Sequence, residues 1–300
     1  MKLKEALKGV VDEKMRSKLV KSYDLIGDII VIRIPPDVYS QREMIAEALH
    51  MIYPRVRTIA AIPLYSHTAE RYRTRELEVI WGEERLETTY KEHGCSFKAN
   101  LDHVFLTPRL SHERMRIAKH VAPGETIINM FAGVGCFSIL IAKLQSQTKI
   151  YSIDVNPYAY EYMKENVALN KVEGQVIPIR GDARDETEKL QGVADRVLMP
   201  LPEQAHAFLP SAVRALDLGK EGSGERAETG TDRMIHYYAV STGLKEAALF
   251  SVPFKRAQDS IASVFGNSVR VELDERRIVR SVAPRTYHVA LDLRCARASD

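Results

Sequence analysis

The sequence predicts an α/β fold, in which a mainly parallel sheet covered by helices on both faces follows a smaller α+β domain. Two observations lead to this prediction. From residue 108 onward, short apolar segments alternate with helical ones, a pattern typical of parallel strands joined by crossover helices. One of these strands also runs into a glycine-rich turn, Ala132-Gly133-Val134-Gly135, and then directly into a helix. We therefore expect a strand–turn–helix unit that offers a ligand site.

The smaller α+β domain is expected to span residues 1–104. Its segment 1–22 is charged and helix-like, and residues 26–34 predict a buried strand closed by the proline pair that follows. Further segments predict a helix over 40–52 and extended chain over 55–62, 75–80 and 85–90. Short strands around one helix, with turn residues such as Gly82, fit an α+β arrangement.

The larger domain is expected to span residues 105–300. Helices are predicted over 111–121, 137–145, 157–170, 203–216 and 244–265, and strands over 126–131, 149–154, 175–179, 194–199, 235–241, 269–279 and 286–295. The two closing strands follow one another without a helix between them. They therefore predict an antiparallel hairpin at one end of the sheet.

The composition is that of an ordinary globular protein. Apolar residues make up 45% and charged residues 28% of the 300 residues, and the net charge of +3 permits a nucleic-acid partner without demanding one. The three cysteines form no Cys-x-x-Cys pair, and no secretory segment opens the chain. No apolar run reaches the roughly 20 residues of a membrane span. We therefore expect a cytoplasmic protein without structural metal, disulfide or membrane anchor.

The glycine turn alone leaves three interpretations open: packing, a dinucleotide such as NAD, or S-adenosylmethionine. Asp154, at the end of the next strand, is placed to accept hydrogen bonds from ribose hydroxyls. Asp182, after the third strand, is placed to accept one from an adenine amino group. Ser138 occupies the position of the third glycine in the dinucleotide pattern, which disfavours NAD. The set therefore favours the adenosine group of S-adenosylmethionine.

Six segments, in order along nearly the whole chain, form one set of motifs. They are SYDLIGDIIVI (22–32), HGCSFKANLDHVFLTPRLSHERMRIA (93–118), NMFAGVGCFSI (129–139), IDVNPYAYEYMKENVALNK (153–171), ADRVLMPLP (194–202) and APRTYHVALDL (283–293). This set resembles the archaeal tRNA (guanine-37 N1)-methyltransferases and their wyosine-pathway relatives. The resemblance implies a Rossmann-like class I methyltransferase domain behind a smaller RNA-contacting domain. It also implies methyl transfer from S-adenosylmethionine to the purine at position 37, beside the tRNA anticodon.

The resemblance further implies a set of site residues. The essential arginine of the family matches Arg73, its Pro-Arg-Leu arginine matches Arg109, and its candidate general base matches Glu113. The residues expected to hold the cofactor are Phe131, Ala132, Gly133, Gly135, Asp154, Val155, Asp182, Ala183 and Pro200. On this hypothesis Glu113 takes the N1 proton of guanine, while Arg73 stabilises the negative charge that shifts to O6. Because N1 lies on the Watson–Crick edge, the base must leave its stack to react.

Some of these residues also have a purely structural interpretation. Arg109, Glu113 and Arg116 fall on one helical face and could form a surface ion-pair ladder. Tyr237 and Tyr238 are neighbours on one predicted strand, so at most one of them faces the pocket.

Three departures from the family pattern leave the acceptor atom open. Pro200 stands where methylating members commonly carry the asparagine of an Asn-Leu-Pro turn, Asn129 replaces an acidic residue, and Cys136 replaces a proline. The Pro-Leu-Pro turn resembles the wyosine-pathway branch, which methylates C7 of 4-demethylwyosine at position 37 of tRNA-Phe, alone or in addition. Transfer of the aminocarboxypropyl group and a non-catalytic RNA-binding module are more distant alternatives. We expect N1 methylation by a monomeric enzyme.

Overall fold

The computed structural model describes residue 7 and residues 23–63, 72, 74, 76–219 and 233–298. The chain divides into two compact units, Met1–Ser111 and His112–Asp300. The functional division expected after residue 104, an RNA-contacting part followed by a methyltransferase part, stays a prediction. Among the described helices, none is both long and apolar enough to cross a membrane.

The described part of the smaller unit contains two sheets and one α-helix. Strands β1 (Tyr23–Ile26), β2 (Ile29–Arg33), β3 (Thr58–Ile62) and β4 (Glu78–Gly82) form one sheet in that order, and β5 (Glu87–Glu92) pairs with β6 (Cys95–Asn100) in the other. The β2–β3 pair is parallel and therefore needs a crossover, which helix α1 (Arg42–Ile52) supplies. Ile45 and Leu49 of this helix pack in one apolar cluster with Ile30 and Ile59 of the two strands.

The expectation of one continuous strand over 26–34 is wrong, because the chain turns at Gly27 and Asp28. Gly27 has a φ of +60°, and a Cβ there would lie 2.1 Å from Oγ1 of Thr88, so this position requires glycine. The Asp28 carboxylate accepts hydrogen bonds from Thr88 at 2.7 Å and from Arg85 at 2.5 Å. As a result β1 folds back as an antiparallel neighbour of β2.

Strand β6 is one that the sequence pattern does not predict, although its side chains alternate between buried and half-buried. Its inward-facing residues are Cys95, Phe97 and Ala99, of which only the aromatic one favours strands strongly. Because β5 pairs with β6 and not with β4, Gly82 ends β4 and is not a hairpin turn.

The larger unit is one sheet covered by helices. Its described strands are β7 (Thr126–Asn129), β8 (Lys149–Asp154), β9 (Val176–Arg180), β10 (Arg196–Met199), β11 (Arg233–Thr242), β12 (Val269–Ala283) and β13 (Thr286–Arg297). Its described helices are α2 (Ser111–His120), α3 (Cys136–Leu144), α4 (Pro157–Leu169), α5 (Ala183–Glu188), α6 (Leu209–Ala215) and α7 (Glu246–Phe265). Within the described residues the sheet order is β12-β13-β11-β10-β7-β8-β9. Strand β13 is antiparallel to both neighbours and the other pairs are parallel, which confirms the α/β fold and its closing hairpin.

Two helical segments differ from expectation. Helix α5 spans Ala183–Glu188, too short for a helical period to show in the sequence. The helix expected over 203–216 begins as a 3₁₀ turn, Ala205–Phe208, and becomes α-helical only where Pro210 occupies its first turn.

The topology determines where a ligand site can form. Strand β7 lies between β8 and β10, and the chain crosses from one side of the sheet to the other at this point. Ligands of such sheets bind beyond the carboxyl ends of the strands at the crossing. The glycine loop follows β7, Asp154 is the last residue of β8, and Asp182 and Pro200 lie in the turns after β9 and β10, respectively.

Candidate cofactor site and buried carboxylate network

The glycine loop follows β7 and is tied to the neighbouring strand β8. The N–H of Ala132 donates to the carbonyl of Ile153 at 2.9 Å, and the N–H of Gly133 donates to the Asp154 carboxylate at 2.7 Å. Gly135 has a φ of +91°, and a Cβ there would lie 3.0 Å from a side chain of α3. The turn into the helix therefore favours glycine, and the loop keeps its backbone open to a ligand.

The two oxygens of Asp154 accept backbone hydrogen bonds, from Gly133 at 2.7 Å and from Asn156 at 2.9 Å. Burial raises the pKa of Asp154, and these two N–H groups oppose that rise because they stabilise the charged form. Each carboxylate oxygen keeps a second acceptor position, which suits a pair of ribose hydroxyls. The adjacent Val155 leaves 37% of its surface exposed, an apolar area that a purine ring would cover.

Asp182 has a structural role of its own as the N-cap of α5. Its Oδ1 accepts a hydrogen bond from the N–H of Arg184 at 2.8 Å, so Oδ2 is the oxygen that could accept from an adenine amino group. The Arg184 guanidinium stacks 4.1 Å from the centre of the Phe208 ring, and Phe208 meets Phe131 edge-on at 4.9 Å. Ala183, next to Asp182, is buried. These contacts hold the segment that begins at Asp182 against Phe131.

Asn129, at the end of β7, carries a buried oxygen, Oδ1, without a hydrogen-bond partner among the described residues. Its Nδ2 donates to Oγ of Ser138 at 3.1 Å, and Ser152 donates to the same oxygen at 2.7 Å. An unsatisfied buried acceptor costs about 1–3 kcal/mol, so it suits a donor that a ligand brings, such as an ammonium group. The residues at this edge of the sheet therefore fit a nucleoside with an amino-acid tail, as in S-adenosylmethionine.

Pro200 lies in the turn after β10 and is half-buried. The N–H of Leu201 donates to the carbonyl of Met199 at 2.8 Å, and the N–H of Val240 donates to the carbonyl of Pro202 at 3.2 Å. Backbone bonds thus hold this turn. Pro200 offers the site an apolar wall and no N–H donor.

Glu113, the candidate general base, lies on α2 with 3% of its side chain exposed. Its Oε1 accepts hydrogen bonds from the Tyr238 hydroxyl at 2.7 Å and from Arg116 at 2.8 Å, and its Oε2 accepts one from Arg116 at 3.1 Å. Burial, and then the charge of Glu113, raise the pKa of Tyr238 well above its usual value, so the phenol stays protonated and donates. A buried carboxylate without such partners would be strongly destabilising.

Arg116 also binds a second buried carboxylate, Asp292, with nitrogen–oxygen distances of 2.5 and 3.2 Å. His236 places Nδ1 2.6 Å from Asp292, and Arg196 places a guanidinium nitrogen 2.7 Å from Nε2 of His236. Because a guanidinium can only donate, Nε2 must be the acceptor. His236 is therefore a neutral imidazole that carries its proton on Nδ1 and donates it to Asp292.

The pKa shifts agree with this assignment. Burial lowers the pKa of His236 even against the opposing charge of Asp292. Burial alone would raise the pKa of Asp292, but His236 and Arg116 hold it well below its ordinary value. Burial likewise opposes the charge on Arg116, yet Glu113 and Asp292 raise its pKa above the usual range. Arg116 and the two carboxylates therefore stabilise one another in their charged forms, and Arg116 holds Glu113 in a fixed orientation.

The interpretation of a surface ion-pair ladder is wrong. Arg116 pairs with Glu113 in the protein interior, whereas Arg109 belongs to the smaller unit and donates from Nε to Asp24 at 2.6 Å. Arg73 lies outside the described residues. The catalytic roles of Arg73, Arg109 and Glu113 stay predictions.

The expectation for the tyrosine pair is confirmed, since Tyr238 contacts Glu113 while Tyr237 packs in the apolar core that contains α7. Sequence reasoning missed Asp292 and His236, which reach the site from strands far along the chain. It also missed Arg277 of β12, whose Nε lies 3.5 Å from Glu113.

The parallel sheet with one reversed strand, the glycine loop after β7 and the carboxylates at two strand ends together define a class I methyltransferase fold. Within that class, the chain belongs to the TRM5/TYW2 methyltransferase family. The methyltransferase domain of that family matches residues 88–271, and a TYW2 N-terminal domain matches residues 3–85. The family resemblance and the fold expected from the sequence are both confirmed.

Two of the relatives differ in the reaction that their names give. The tRNA (guanine(37)-N(1))-methyltransferase Trm5b of Pyrococcus abyssi is 37% identical over 95% of this chain and 78% of its own length. Its crystal structure matches with a TM-score of 0.79 at 36% identity, over 95% of this chain and 78% of that one. The tRNA 4-demethylwyosine(37)-methyltransferase Taw21 of Saccharolobus solfataricus is 36% identical over 91% of this chain and 94% of its own length.

Two of the related structures that contain ligands show a tRNA and a cofactor. The complex of aTrm5 with tRNALeu matches with a TM-score of 0.79 at 31% identity, covering 98% of this chain and 78% of that one. Methanocaldococcus jannaschii TYW2 in complex with AdoMet matches with a TM-score of 0.67 at 27% identity, covering 92% and 100%, respectively.

Proposed function

We propose that this chain is a tRNA methyltransferase that transfers the methyl group of S-adenosylmethionine to N1 of guanine 37. The observation that carries the proposal is the buried Glu113 carboxylate, held by Tyr238 and Arg116, in a chain that is 37% identical to Pyrococcus abyssi Trm5b. A rigidly held carboxylate is suited to take a proton from a nucleobase.

The cofactor residues have separate tasks in this proposal. Asp154 would hold the ribose hydroxyls and Asp182 the adenine amino group, with the glycine loop against the amino-acid tail. When bound, S-adenosylmethionine supplies a methyl group on a positively charged sulfur, which is a good leaving group. The remaining task of the chain is to orient the acceptor base and to remove its proton.

The buried network supplies the acid–base chemistry. Guanine N1 carries a proton at neutral pH, so its lone pair becomes available only as that proton leaves. Glu113 accepts the proton, while Tyr238 and Arg116 keep the carboxylate aimed. Asp292 and His236 keep Arg116 in place from the other side. Charge that develops on O6 needs a nearby cation, a role that we propose for Arg73, the match of the family's essential arginine.

The acceptor base has to leave the anticodon loop to reach a buried carboxylate, because N1 lies on its Watson–Crick edge. We assign contact with the tRNA to the smaller domain, residues 1–104. We propose that the enzyme acts in the cytoplasm as a monomer, without a resident metal ion.

Methylation of C7 of 4-demethylwyosine at position 37 of tRNA-Phe is the second candidate, alone or in addition. Two observations favour it. The chain is 36% identical to Taw21 over 91% of its own residues. Pro200 also stands where the tRNA (guanine-37 N1)-methyltransferases commonly carry an amide side chain.

The discriminating experiment uses purified protein, labelled S-adenosylmethionine and three tRNA substrates. Two are unmodified transcripts with G37 or A37, and the third is tRNA-Phe that carries 4-demethylwyosine. We expect 1-methylguanosine from the G37 transcript and no product from A37. Label in the third tRNA alone would replace the N1 assignment with the C7 one, and no label in any substrate would overturn both.

Replacing Glu113 by Gln tests the proposed base. Methyl transfer should fall by about 10²–10⁴-fold, the usual contribution of a general base, while the affinity for S-adenosylmethionine stays unchanged. Glu275→Gln is the matched control, because Glu275 also faces Arg116, at 3.4 Å, but is exposed. Equal rates for the two variants would remove Glu113 as the base.

A further inference from the structure

Strand β12 contains a break in its side-chain alternation. Val269, Val271 and Leu273 pack toward the apolar core that includes α7. The pairing with β13 then skips one residue, so that Leu273 pairs with Leu293 and Glu275 with Asp292, and Asp274 is left as a bulge. One extra residue sends every side chain after it to the opposite face of the sheet.

The bulge decides which of two neighbouring arginines faces Glu113. Arg276 pairs with Leu291, a residue of the apolar core, and its guanidinium lies 5.3 Å from the centre of the Phe250 ring on α7. Arg277 lies on the other face, with its Nε 3.5 Å from Oε2 of Glu113. Without the bulge the two arginines would exchange faces, and the carboxylate would lose this neighbour.

Arg277 differs from the other partners of Glu113 in its exposure. Tyr238 and Arg116 are 3% and 12% exposed, whereas the Arg277 side chain is 44% exposed. Arg116 is also bound to Asp292 and is therefore fixed. Among the described partners of the carboxylate, Arg277 is thus the most accessible to an incoming base, and its contact with Glu113 is the longest, at 3.5 Å.

We propose that Arg277 contacts the substrate: its guanidinium leaves Glu113 and binds O6 of the acceptor guanine. The proposal rests on the proposed function, in which Glu113 is the base. As the N1–H bond breaks, the proton passes to Oε2 of Glu113, and its electron pair is shared between N1 and O6. The carboxylate becomes neutral at the moment when the base becomes negative.

The cation therefore follows the charge. The Arg277 guanidinium lies next to Glu113 before the reaction starts, so it can stabilise the anionic base without a large movement. Stabilisation of developing charge by groups already in position is usually the largest single contribution to catalysis. O6 has two lone pairs, so this contact is compatible with a second arginine at the same oxygen.

The test compares Arg277→Gln with the matched control Arg276→Gln in single-turnover methyl transfer. Each variant is assayed on tRNA with guanosine, inosine or 6-thioguanosine at position 37. Inosine keeps O6, whereas sulfur in its place is a poor hydrogen-bond acceptor. With guanosine or inosine, Arg277→Gln should slow the reaction by about 10²-fold, the usual loss for one such donor. With 6-thioguanosine the loss should be several-fold smaller, and Arg277→Lys should recover part of the rate.

Binding measurements separate the other outcomes. The affinities for S-adenosylmethionine and for tRNA, and the melting temperature, should stay close to wild type in both Gln variants. An equal loss on guanosine and 6-thioguanosine, with weaker and more salt-dependent tRNA binding, would mean that Arg277 contacts a phosphate and would overturn the proposal. So would an unchanged rate for Arg277→Gln in an active wild-type background. A wild-type protein that makes no 1-methylguanosine would instead overturn the proposed function, and this inference with it.

Discussion

Replacing Asp292 by Asn tests the buried network at its centre. The carboxylate accepts hydrogen bonds from Arg116 at 2.5 and 3.2 Å and from His236 at 2.6 Å. Asparagine keeps the shape of the side chain but turns one accepting oxygen into an amide donor. That donor then faces N–H groups that can only donate, and Arg116 keeps Glu113 as its one fully buried anion.

The size of the effect follows from these contacts. Removing one partner of a buried ion pair costs about 3–5 kcal/mol, and the remaining amide oxygen of asparagine still accepts one bond, so we expect a loss of about 3 kcal/mol in the free energy of unfolding. Asp274→Asn is the control, because Asp274 pairs with Arg294 at 2.6 Å in the same hairpin but in an exposed position. That change should cost less than about 1 kcal/mol.

The difference between wild type and Asp292→Asn should also depend on pH. The pKa of Asp292 is lowered in the folded state, so its contribution is complete above the unfolded value of about 3.9. As the pH falls below that value, the unfolded chain takes up the proton first and the contribution is lost. The stability gap between the two proteins should therefore be full at neutral pH and narrow below about pH 4.

Urea denaturation followed by far-ultraviolet circular dichroism, at several pH values, measures these gaps. Methyl transfer by Asp292→Asn should also slow, because Arg116 no longer holds Glu113 from a fixed position. A loss no larger than that of Asp274→Asn, or a gap that widens in acid, would refute the account of the network.

Three further changes probe separate parts of the molecule. Asp154→Asn should weaken S-adenosylmethionine binding about 10- to 100-fold in calorimetry, because hydrogen bonds to a charged acceptor contribute about 1.5–3 kcal/mol; unchanged affinity would remove Asp154 from the site. Gly27→Ala should lower the melting temperature, because φ is +60° and the new Cβ meets Thr88; a stable variant would contradict this. Because the pKa of His236 is lowered in the folded state, wild-type stability should decline as the pH falls below about 6.5, and His236→Gln should be less sensitive in that range.

Much of the larger unit could be predicted from the sequence because its signals are local. Apolar strands, the glycine loop and Asp154 lie next to one another along the chain, and a parallel sheet brings the ends of such strands to one edge. Errors arose where a distant segment decides the local conformation. The predicted strand over 26–34 is interrupted because β5 approaches Gly27 closely.

The bulge in β12 is a feature that the sequence predicts only in part. Alternation in VRVELDERRIV stops at Asp274-Glu275, a signal that a residue is out of step, and two arginines follow. The sequence thus indicates the break in alternation. It does not indicate that Arg277 faces Glu113 while Arg276 faces α7.

The sequence by itself determined the α/β order, the family and the residues suited to an adenosine ligand, because these depend on spacing within short stretches of chain. Only the tertiary structure decided that Tyr238 and Arg277 contact Glu113 and that Asp292 binds Arg116 beside it. Tyr238, Arg277 and Asp292 come from three different strands, and their meeting depends on strand order, on pairing register and on one bulge. Register is a property of two strands together, so no single segment encodes it.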